Sequence, residues 1–314
     1  MSLFRTELSH NPDFKPVLRD DAVLFMGSCF AENLGEKLST LKYDALVNSH
    51  GVIFNPISLF NLMHEVLENH QRPAEAFFFN DKLYRHFSGS SKLSAADCAT
   101  TRQNFKQADS LLKKHLSSAR YIFLTFGTAW VYRTKKDLLP VANCHKLPRD
   151  TFTKSLAEPA EMKRAYDRFH EKLREVNSHA QIIVTVSPVR HLRDGMIENN
   201  RSKARLIEFA HHCAENSPHT HYWPAYEYMM DDLRDYRFYK DDMVHPSKKA
   251  VDYIWDHFCD SFFTPQDKKL NRELNKIAFT QPLRVGSDQK KYHEKIKNAE
   301  IKYNVNLKKW RTDS

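Results

Sequence analysis

Short apolar segments alternate with longer segments of helical periodicity along this chain. Four of them, AVLFMG, ALVNSHG, YIFLTFG and QIIVTVSPV, end or turn at Gly27, Gly51, Gly127 and Pro188. Segments this short, continuously apolar and rich in β-forming residues are typical of strands buried on both faces of a sheet. A weaker fifth candidate, HYWPAYEY, covers 221–228.

Helical patterns separate these predicted strands. AENLGEKLSTL follows the first strand, and Asn55-Pro56 opens ISLFNLMHEVLEN with Asn as the N-cap and Pro in the first turn. Strands that alternate with helices predict an α/β fold in which a parallel sheet is covered by helices on both faces. Further helices are predicted at 101–116, 158–176, 202–216 and 247–263.

Glycine is scarce, with 7 among 314 residues, so each glycine is expected to meet a backbone requirement. In open parallel sheets, ligands bind beyond the carboxyl ends of the strands. Gly27, Gly51, Gly127 and Pro188 fall at those ends. The sequence therefore predicts the functional site at this edge.

Composition excludes several classes of protein. Hydrophobic residues make up 41% of the chain, which excludes global disorder. No apolar segment approaches the roughly 20 residues of a membrane span, and the N-terminus lacks the apolar stretch of a secretory signal. Five scattered cysteines without a C-x-x-C pair predict no disulfide framework and favour a reducing, cytoplasmic setting. No histidine spacing builds a three-ligand site, so we expect no metal and no cofactor.

The positive charge is concentrated at the C-terminus. The chain has a net charge of +9, and residues 266–314 contain 13 Lys and Arg against 6 Asp and Glu, leaving +2 for residues 1–265. We interpret residues 1–265 as the α/β domain and residues 266–314 as a basic helical extension. A solvated helical face is the favoured interpretation of the extension, and nucleic-acid contact is expected only through it.

The first predicted strand leads directly into Gly27-Ser28-Cys29 and then into a helix. A side chain here lies at a helix N-terminus, where free N–H groups and the helix dipole favour an anion. A thiol in this position is expected to have a depressed pKa, and the N–H groups could stabilise an oxyanion. The alternative is a tight strand-to-helix turn that requires small residues.

A second signal, Asp242-Met243-Val244-His245-Pro246, precedes the last helix of the body. An Asp three residues before a His can bind the imidazole Nδ1 and leave Nε2 facing a nucleophile, as in a catalytic triad. The Asp-x-x-His pattern alone is common by chance. Combined with the strand–Gly–Ser–Cys segment at the other end of the chain, it predicts a catalytic site.

This layout resembles the SGNH/GDSL hydrolase superfamily and, more closely, the GSCFA-domain family, whose name is spelled by residues 27–31. Segments 143–148, 187–191 and 233–239 carry the same resemblance, which covers roughly residues 20–263 and excludes the extension. It implies a three-layer α/β/α sandwich and acyl-ester chemistry.

The resemblance also implies roles for single residues. Superfamily members place the nucleophile two positions after the strand-ending glycine, which favours Cys29, whereas a one-residue slip would make it Ser28. Asp242 and His245 carry over as the orienting carboxylate and the general base.

The oxyanion hole departs from the superfamily pattern. Its second-block glycine corresponds best to Gly51, but the third block, which starts at Gly127, lacks the usual side-chain amide. Asn48 or Asn55 could substitute, or backbone N–H groups could suffice.

Six further residues are candidates for substrate binding. Arg190 could hold a carboxylate or phosphate, or form an internal salt bridge. His145 belongs to a loop that either faces the site or is structural, and Tyr239 belongs to an aromatic set that is more typical of a core than of a sugar platform. The complete set is Asn55, Trp130, His145, Arg190, His191 and Tyr239.

Two functions follow from these residues. The first is a hydrolase or acyltransferase that acts on a small-molecule or glycan acyl ester or on a thioester. The second is a non-catalytic SGNH-like module that binds an acylated or glycosylated ligand. The identity of the acyl acceptor, water or another molecule, stays open.

Overall fold

The computed structural model describes residues 6–8, 10, 14–278, 287–307 and 310. In chain order, the strands are β1 (Ala22–Gly27), β2 (Asp44–Val47), β3 (Phe78–Asn80), β4 (Leu83–Arg85), β5 (Tyr121–Phe126), β6 (Trp130–Thr134), β7 (Pro140–Val141), β8 (Phe152–Leu156), β9 (Gln181–Val186) and β10 (Thr220–Tyr222). The helices are α1 (Cys29–Thr40), α2 (Pro56–Leu67), α3 (Cys98–Ser118), α4 (Pro159–Val176), α5 (Met196–Asn216), α6 (Ala225–Glu227), α7 (Lys248–Phe262), α8 (Pro265–Ala278) and α9 (Ser287–Tyr303), and a π-helical turn, Tyr228–Leu233, continues α6.

The central sheet has five parallel strands in the order β10-β9-β5-β1-β2. Every residue of β5 is buried, as are the last five residues of β1 and of β9, which confirms the prediction of strands covered on both faces. The order of the strands reverses between β1 and β5. In doubly wound sheets, a ligand-binding crevice opens at such a reversal.

Helices cover both faces of this sheet. Phe30 and Leu34 of α1 and Phe258 of α7 belong to one hydrophobic cluster. Phe60 of α2 and Phe209 of α5 belong to a second cluster, together with residues of α3 and α4. Each cluster includes side chains from the central strands. The predicted three-layer α/β/α sandwich is therefore confirmed.

The described part of the C-terminal extension is helical and packs on the body. Leu270, Leu274, Ile296 and Trp310 are buried in the same cluster as α1 and α7. The basic side chains have a different environment, since Lys302 is exposed and pairs with a carboxylate of α8. Residues 279–286, 308–309 and 311–314 of the predicted extension lie outside the described residues.

Two predicted strands are shorter in the structure. The segment predicted at 221–228 forms β10 only as far as Tyr222, because Pro224 has no N–H for the ladder and the chain continues as a helix. The second strand ends at Val47, four residues before Gly51, because Asn48 adopts a left-handed conformation with φ of 41°. None of the helices that the structure describes is both long and apolar enough to cross a membrane.

Candidate active site

A sharp turn joins β1 to α1 at the reversal point of the sheet. Gly27 has φ of 127°, and a Cβ at this position would overlap the carbonyl oxygen of Thr125 on β5. The next N–H, that of Ser28, donates to the same carbonyl at 2.9 Å. Glycine is therefore required here by both the backbone conformation and the close approach, and α1 begins directly at the carboxyl edge.

Ser28 and Cys29 have different environments in this turn. Ser28 is fully buried and is the N-cap of α1, where its Oγ accepts the Phe30 N–H at 3.2 Å. Cys29 is the first residue of the helix and is partly exposed. The hydroxyl is thus engaged in helix capping and buried, whereas Cys29 is the more exposed of the two residues.

The prediction of a depressed thiol pKa at this helix N-terminus is wrong. Burial is the main cause that raises the pKa of Cys29, and the Glu32 carboxylate raises it further. The backbone N–H of Cys29 and the charges of Lys203 and Lys240 act in the opposite direction but do not outweigh these effects. Since a raised pKa favours the neutral thiol, Cys29 needs a general base to become a nucleophile.

Asp242 and His245 form the predicted pair. Asp242 Oδ2 lies 2.7 Å from His245 Nδ1, and Oδ1 accepts the backbone N–H groups of Val244 and His245, each at 2.9 Å. The backbone N–H and then the side chain of His245 hold the pKa of Asp242 well below its ordinary value. The carboxylate therefore orients the imidazole through Nδ1 and leaves Nε2 without a hydrogen bond among the described residues.

Backbone contacts and electrostatics bring this pair to the edge that carries Cys29. Arg190, which follows β9, donates its N–H to Val244 O at 3.1 Å. Lys240, whose charge acts on Cys29, donates its N–H to His245 O at 2.8 Å. Among the described residues, however, no hydrogen bond joins His245 Nε2 to Cys29 Sγ or Ser28 Oγ. The predicted nucleophile and the predicted base are therefore not hydrogen-bonded to each other.

The two glycines expected to line an oxyanion hole do not offer free N–H groups. The Gly51 N–H donates to Asn48 O at 2.7 Å, and the Gly127 N–H donates to Phe54 O at 2.8 Å. Both donors are satisfied by the loop between β2 and α2. The prediction that they stabilise an oxyanion is therefore corrected, because a bound donor cannot serve without rearrangement.

Of the two asparagines considered as substitutes, only Asn48 retains an available donor. Its Oδ1 accepts the Gly27 N–H at 2.9 Å, and its Nδ2 makes only a long 3.5 Å contact with Ser28 O. Asn55 instead caps α2 through Oδ1 and donates from Nδ2 to Trp130 O at 3.2 Å. Asn55 is thus confirmed as the N-cap, and its proposed role in substrate binding is corrected.

Lys203 is a buried residue of the site that the sequence interpretation missed. It is 2% exposed, and its Nζ donates to Gly127 O at 2.8 Å and to Ser187 O at 2.7 Å, at the ends of β5 and β9. Burial lowers its pKa to about 7. The available signal was a lysine three residues before Leu206 on the buried face of α5.

The pKa of Lys203 gives a pH dependence of stability. Between about pH 7 and its unfolded value of 10.5, the unfolded chain binds one more proton than the folded chain. The free energy of unfolding contributed by this lysine should therefore rise with pH across that interval and stay constant below it. Urea unfolding of the wild type and two variants at several pH values checks this. Lys203→Met should lose the rise in unfolding free energy. The control Lys163→Met, on the exposed face of α4, should keep it. An equal pH dependence in Lys203→Met would contradict it.

A family model for the GSCFA family matches residues 22–258. The chain belongs to the GSCFA family. The matched region runs from β1 into α7 and contains Cys29, Asn48, Asp242 and His245, while α8 and α9 lie outside it. A search of curated proteins finds no match.

The segments that carried the GSCFA resemblance take different places. Segment 187–191 lies at the end of β9 beside Lys203, and 233–239 leads to the Asp242 loop. His145, in segment 143–148, is 3% exposed, contacts His86 O at 2.9 Å through Nε2 and packs against Phe78. Its contacts are those of a structural residue, and the structure does not bring it to Cys29.

Three other candidates of the GSCFA chain lie near the edge. Arg190 stacks over the ring of Tyr239 with its guanidinium carbon 4.1 Å from the centroid, and Tyr239 is 9% exposed. Tyr239 is therefore part of the core, and its role as a substrate platform is corrected. Trp130 donates from Nε1 to Glu198 O at 3.3 Å and lies under the Lys154 ammonium. Trp130 thus has partners within the protein.

His191 lies beside Gly127 and has a buried Nε2 without a partner among the described residues. Its backbone N–H donates to Asn199 at 2.8 Å, and its ring packs against Phe54. Burial first, and then the charges of Lys203 and His245, lower its pKa to about 3. His191 is therefore a neutral imidazole between the buried lysine and the Asp–His pair.

A hydrogen-bonded relay fixes the loop that follows β2, and the sequence interpretation missed it. Ser49 Oγ lies 3.0 Å from His50 Nδ1, and His50 Nε2 lies 3.0 Å from Asp109 on α3. Arg72 binds the other oxygen of Asp109. Because His50 is fully buried, this relay anchors the loop and so positions Asn48.

Among the described residues, no group of three His, Cys, Asp or Glu side chains could hold a metal ion.

Proposed function

We propose that this GSCFA protein is an acyl-ester or thioester hydrolase, or an acyltransferase, with Cys29 as the nucleophile. The observation that carries the proposal is the hydrogen-bonded Asp242–His245 pair, whose Nε2 is unengaged, together with the partly exposed Cys29 at a helix N-terminus. The resemblance of this layout to SGNH/GDSL hydrolases supports the reaction class. The burial of Ser28 as the N-cap favours Cys29 over the hydroxyl.

The proposed reaction uses two proton transfers. His245 Nε2 removes the proton of Cys29 while Sγ attacks the acyl carbonyl, and Asp242 stabilises the resulting imidazolium. When the tetrahedral intermediate collapses, the bond to the leaving alcohol or thiol breaks and His245 returns the proton to it. Water or a second alcohol or amine then attacks the thioester with the same base, which releases the acid or the new acyl product and restores the thiol.

Two donors are proposed for the oxyanion. The Cys29 N–H is at the first position of α1, where it has no partner within the helix. Asn48 Nδ2 is oriented by the bond that its Oδ1 accepts from the Gly27 N–H and makes only the long contact with Ser28 O. Together they would replace the Gly51 and Gly127 N–H groups, which are engaged elsewhere.

A non-catalytic module that binds an acylated or glycosylated small molecule is the second candidate. It is favoured by the missing contact between base and nucleophile and by the raised pKa of the Cys29 thiol. Both features hold the site in an unreactive form unless the substrate closes it. The two candidates differ in turnover.

The test is a turnover assay with 4-nitrophenyl acetate and with an acetyl thioester, both small acyl donors. We expect saturable release of the leaving group by the full-length protein, and faster release when an alcohol or amine acceptor is added if the enzyme is a transferase. If both donors bind saturably but neither releases its leaving group, the result would contradict the enzyme and support the binding module.

A further inference from the structure

A cavity of about 100 Å³ lies between the end of β9, the first turns of α5 and the π-helical turn after α6. Its lining combines apolar side chains, such as those of Met196 and Met230, with polar groups. The polar lining residues are Arg190, Asn199, Asn200, Lys203 and Tyr226. Two of these, Arg190 and Lys203, are basic, and none carries a carboxylate.

Neither Arg190 nor Lys203 forms an ion pair with a carboxylate in the described part of the protein. Lys203 Nζ donates to the neutral carbonyl oxygens of Gly127 and Ser187 and lies 6.0 Å from the centroid of the Tyr226 ring, so one N–H of the ammonium has no hydrogen-bond acceptor among the described residues. Arg190 lies over the rings of Tyr236 and Tyr239 and forms no ion pair with a described carboxylate. The internal salt bridge considered for Arg190 is therefore not formed there. Burial without a counter-ion disfavours the charged form of Lys203, and an anion in the cavity would stabilise that form.

We propose that this cavity binds a small oxyanion, namely a carboxylate or phosphate group at one end of the acyl substrate. Only the assignment of the anion to the acyl substrate rests on the proposed function. Anion binding itself can be measured without turnover. A cavity of 150 Å³ holds a benzene molecule, so about 100 Å³ suits a group of four or five heavy atoms. Guanidinium and ammonium groups are the donors that such oxyanions bind in proteins.

Two of the residues that line the cavity are linked to the proposed catalytic residues. Arg190 donates its backbone N–H to Val244 O in the Asp242–His245 loop. On the other side, Lys203 binds the carbonyl of Gly127, and its charge acts on the Cys29 thiol. A substrate with its anionic end between Arg190 and Lys203 would therefore be held beside the thiol and the imidazole. The preferred substrates would be anionic acyl donors rather than neutral ones.

The competing explanation is that Lys203 is only a clasp between the ends of β5 and β9. That explanation predicts no anion binding at all. Arg190→Gln removes one cation and keeps most of the side chain, and Asn200→Asp places a negative charge at an exposed position of the cavity mouth. Arg193→Gln is the matched control, because Arg193 is exposed, three residues from Arg190, and does not line the cavity.

The experiment is calorimetric titration of the full-length protein with inorganic phosphate and, separately, with acetate. We expect saturable binding of at least one anion, about tenfold or more weaker in Arg190→Gln and in Asn200→Asp, and unchanged within about twofold in Arg193→Gln. Binding of acetate alone would assign a carboxylate and binding of phosphate alone a phosphoryl group.

No saturable binding in the wild type, or equal affinities in all three variants, would overturn the proposal. Circular dichroism and thermal unfolding establish that each variant is folded before its affinity is compared. Because the titration needs no turnover, anion binding without activity would uphold this site while the enzyme proposal fails. Activity without anion binding would overturn this site and uphold the enzyme proposal.

Discussion

Cys29→Ala is expected to lower the turnover of an activated ester by about 10³-fold or more, whereas Ser28→Ala keeps most of it. The thiol belongs to a partly exposed residue at the first position of α1, whereas the neighbouring Ser28 is fully buried. Without Sγ, no covalent intermediate can form, and only the slow direct attack of water remains. Steady-state measurement of kcat/KM on the three proteins checks this.

Ser28→Ala is the matched variant, because it changes the adjacent residue and has a different expected effect. Ser28 Oγ accepts the Phe30 N–H as the N-cap of α1, so its loss should lower the free energy of unfolding by about 1 kcal/mol. Cys29→Ala removes no cap and should change stability less. A folded Ser28→Ala protein without turnover, beside an active Cys29→Ala protein, would instead make Ser28 the nucleophile.

Asp242→Asn is expected to lower kcat/KM by about 10²- to 10⁴-fold. The carboxylate holds His245 Nδ1 at 2.7 Å and thereby selects the tautomer whose Nε2 can accept the thiol proton. An amide in its place cannot stabilise the imidazolium that forms. His245→Ala should show a loss at least as large, since it removes the base itself.

The neighbouring carboxylate provides the control for this prediction. Asp241→Asn removes the same charge from an exposed side chain one position away, which has no hydrogen bond among the described residues, and should leave kcat/KM within about twofold. The pKa of Asp242 is held far below its ordinary value, so a loss of activity on the acid side should not follow protonation of Asp242. Equal effects of Asp241→Asn and Asp242→Asn would contradict the assigned role.

Local sequence patterns predicted the parts of the site that depend on neighbouring residues. Continuous apolar segments ended by Gly27 and Gly127 predicted β1 and β5, because strands buried on both faces have that pattern. Asn55-Pro56 predicted the start of α2. Asp242 and His245 are three residues apart, so their contact needs only the conformation of one short loop.

Contacts between distant segments could not be predicted in this way. The Gly127 N–H is taken by Phe54 O from another loop, and the Lys203 ammonium by carbonyls at the ends of two strands. The pKa of Cys29 is raised mainly by burial, which depends on the packing of the whole edge. The position of Cys29 at a helix N-terminus, taken alone, predicted a lowered pKa. The preference for Cys29 over Ser28 as the candidate nucleophile likewise depends on the burial of the two residues, which the sequence does not give.

The most direct test of Cys29 as the acylated nucleophile is the mass of the intact protein after brief incubation with an activated short acyl ester. Wild type, Cys29→Ala, Ser28→Ala and His245→Ala are compared side by side. We expect one acyl adduct in the wild type and in Ser28→Ala, none in Cys29→Ala, and a strongly reduced amount in His245→Ala. An adduct that persists in Cys29→Ala and disappears in Ser28→Ala, or the absence of an adduct and of turnover in all four proteins, would contradict a thioester enzyme.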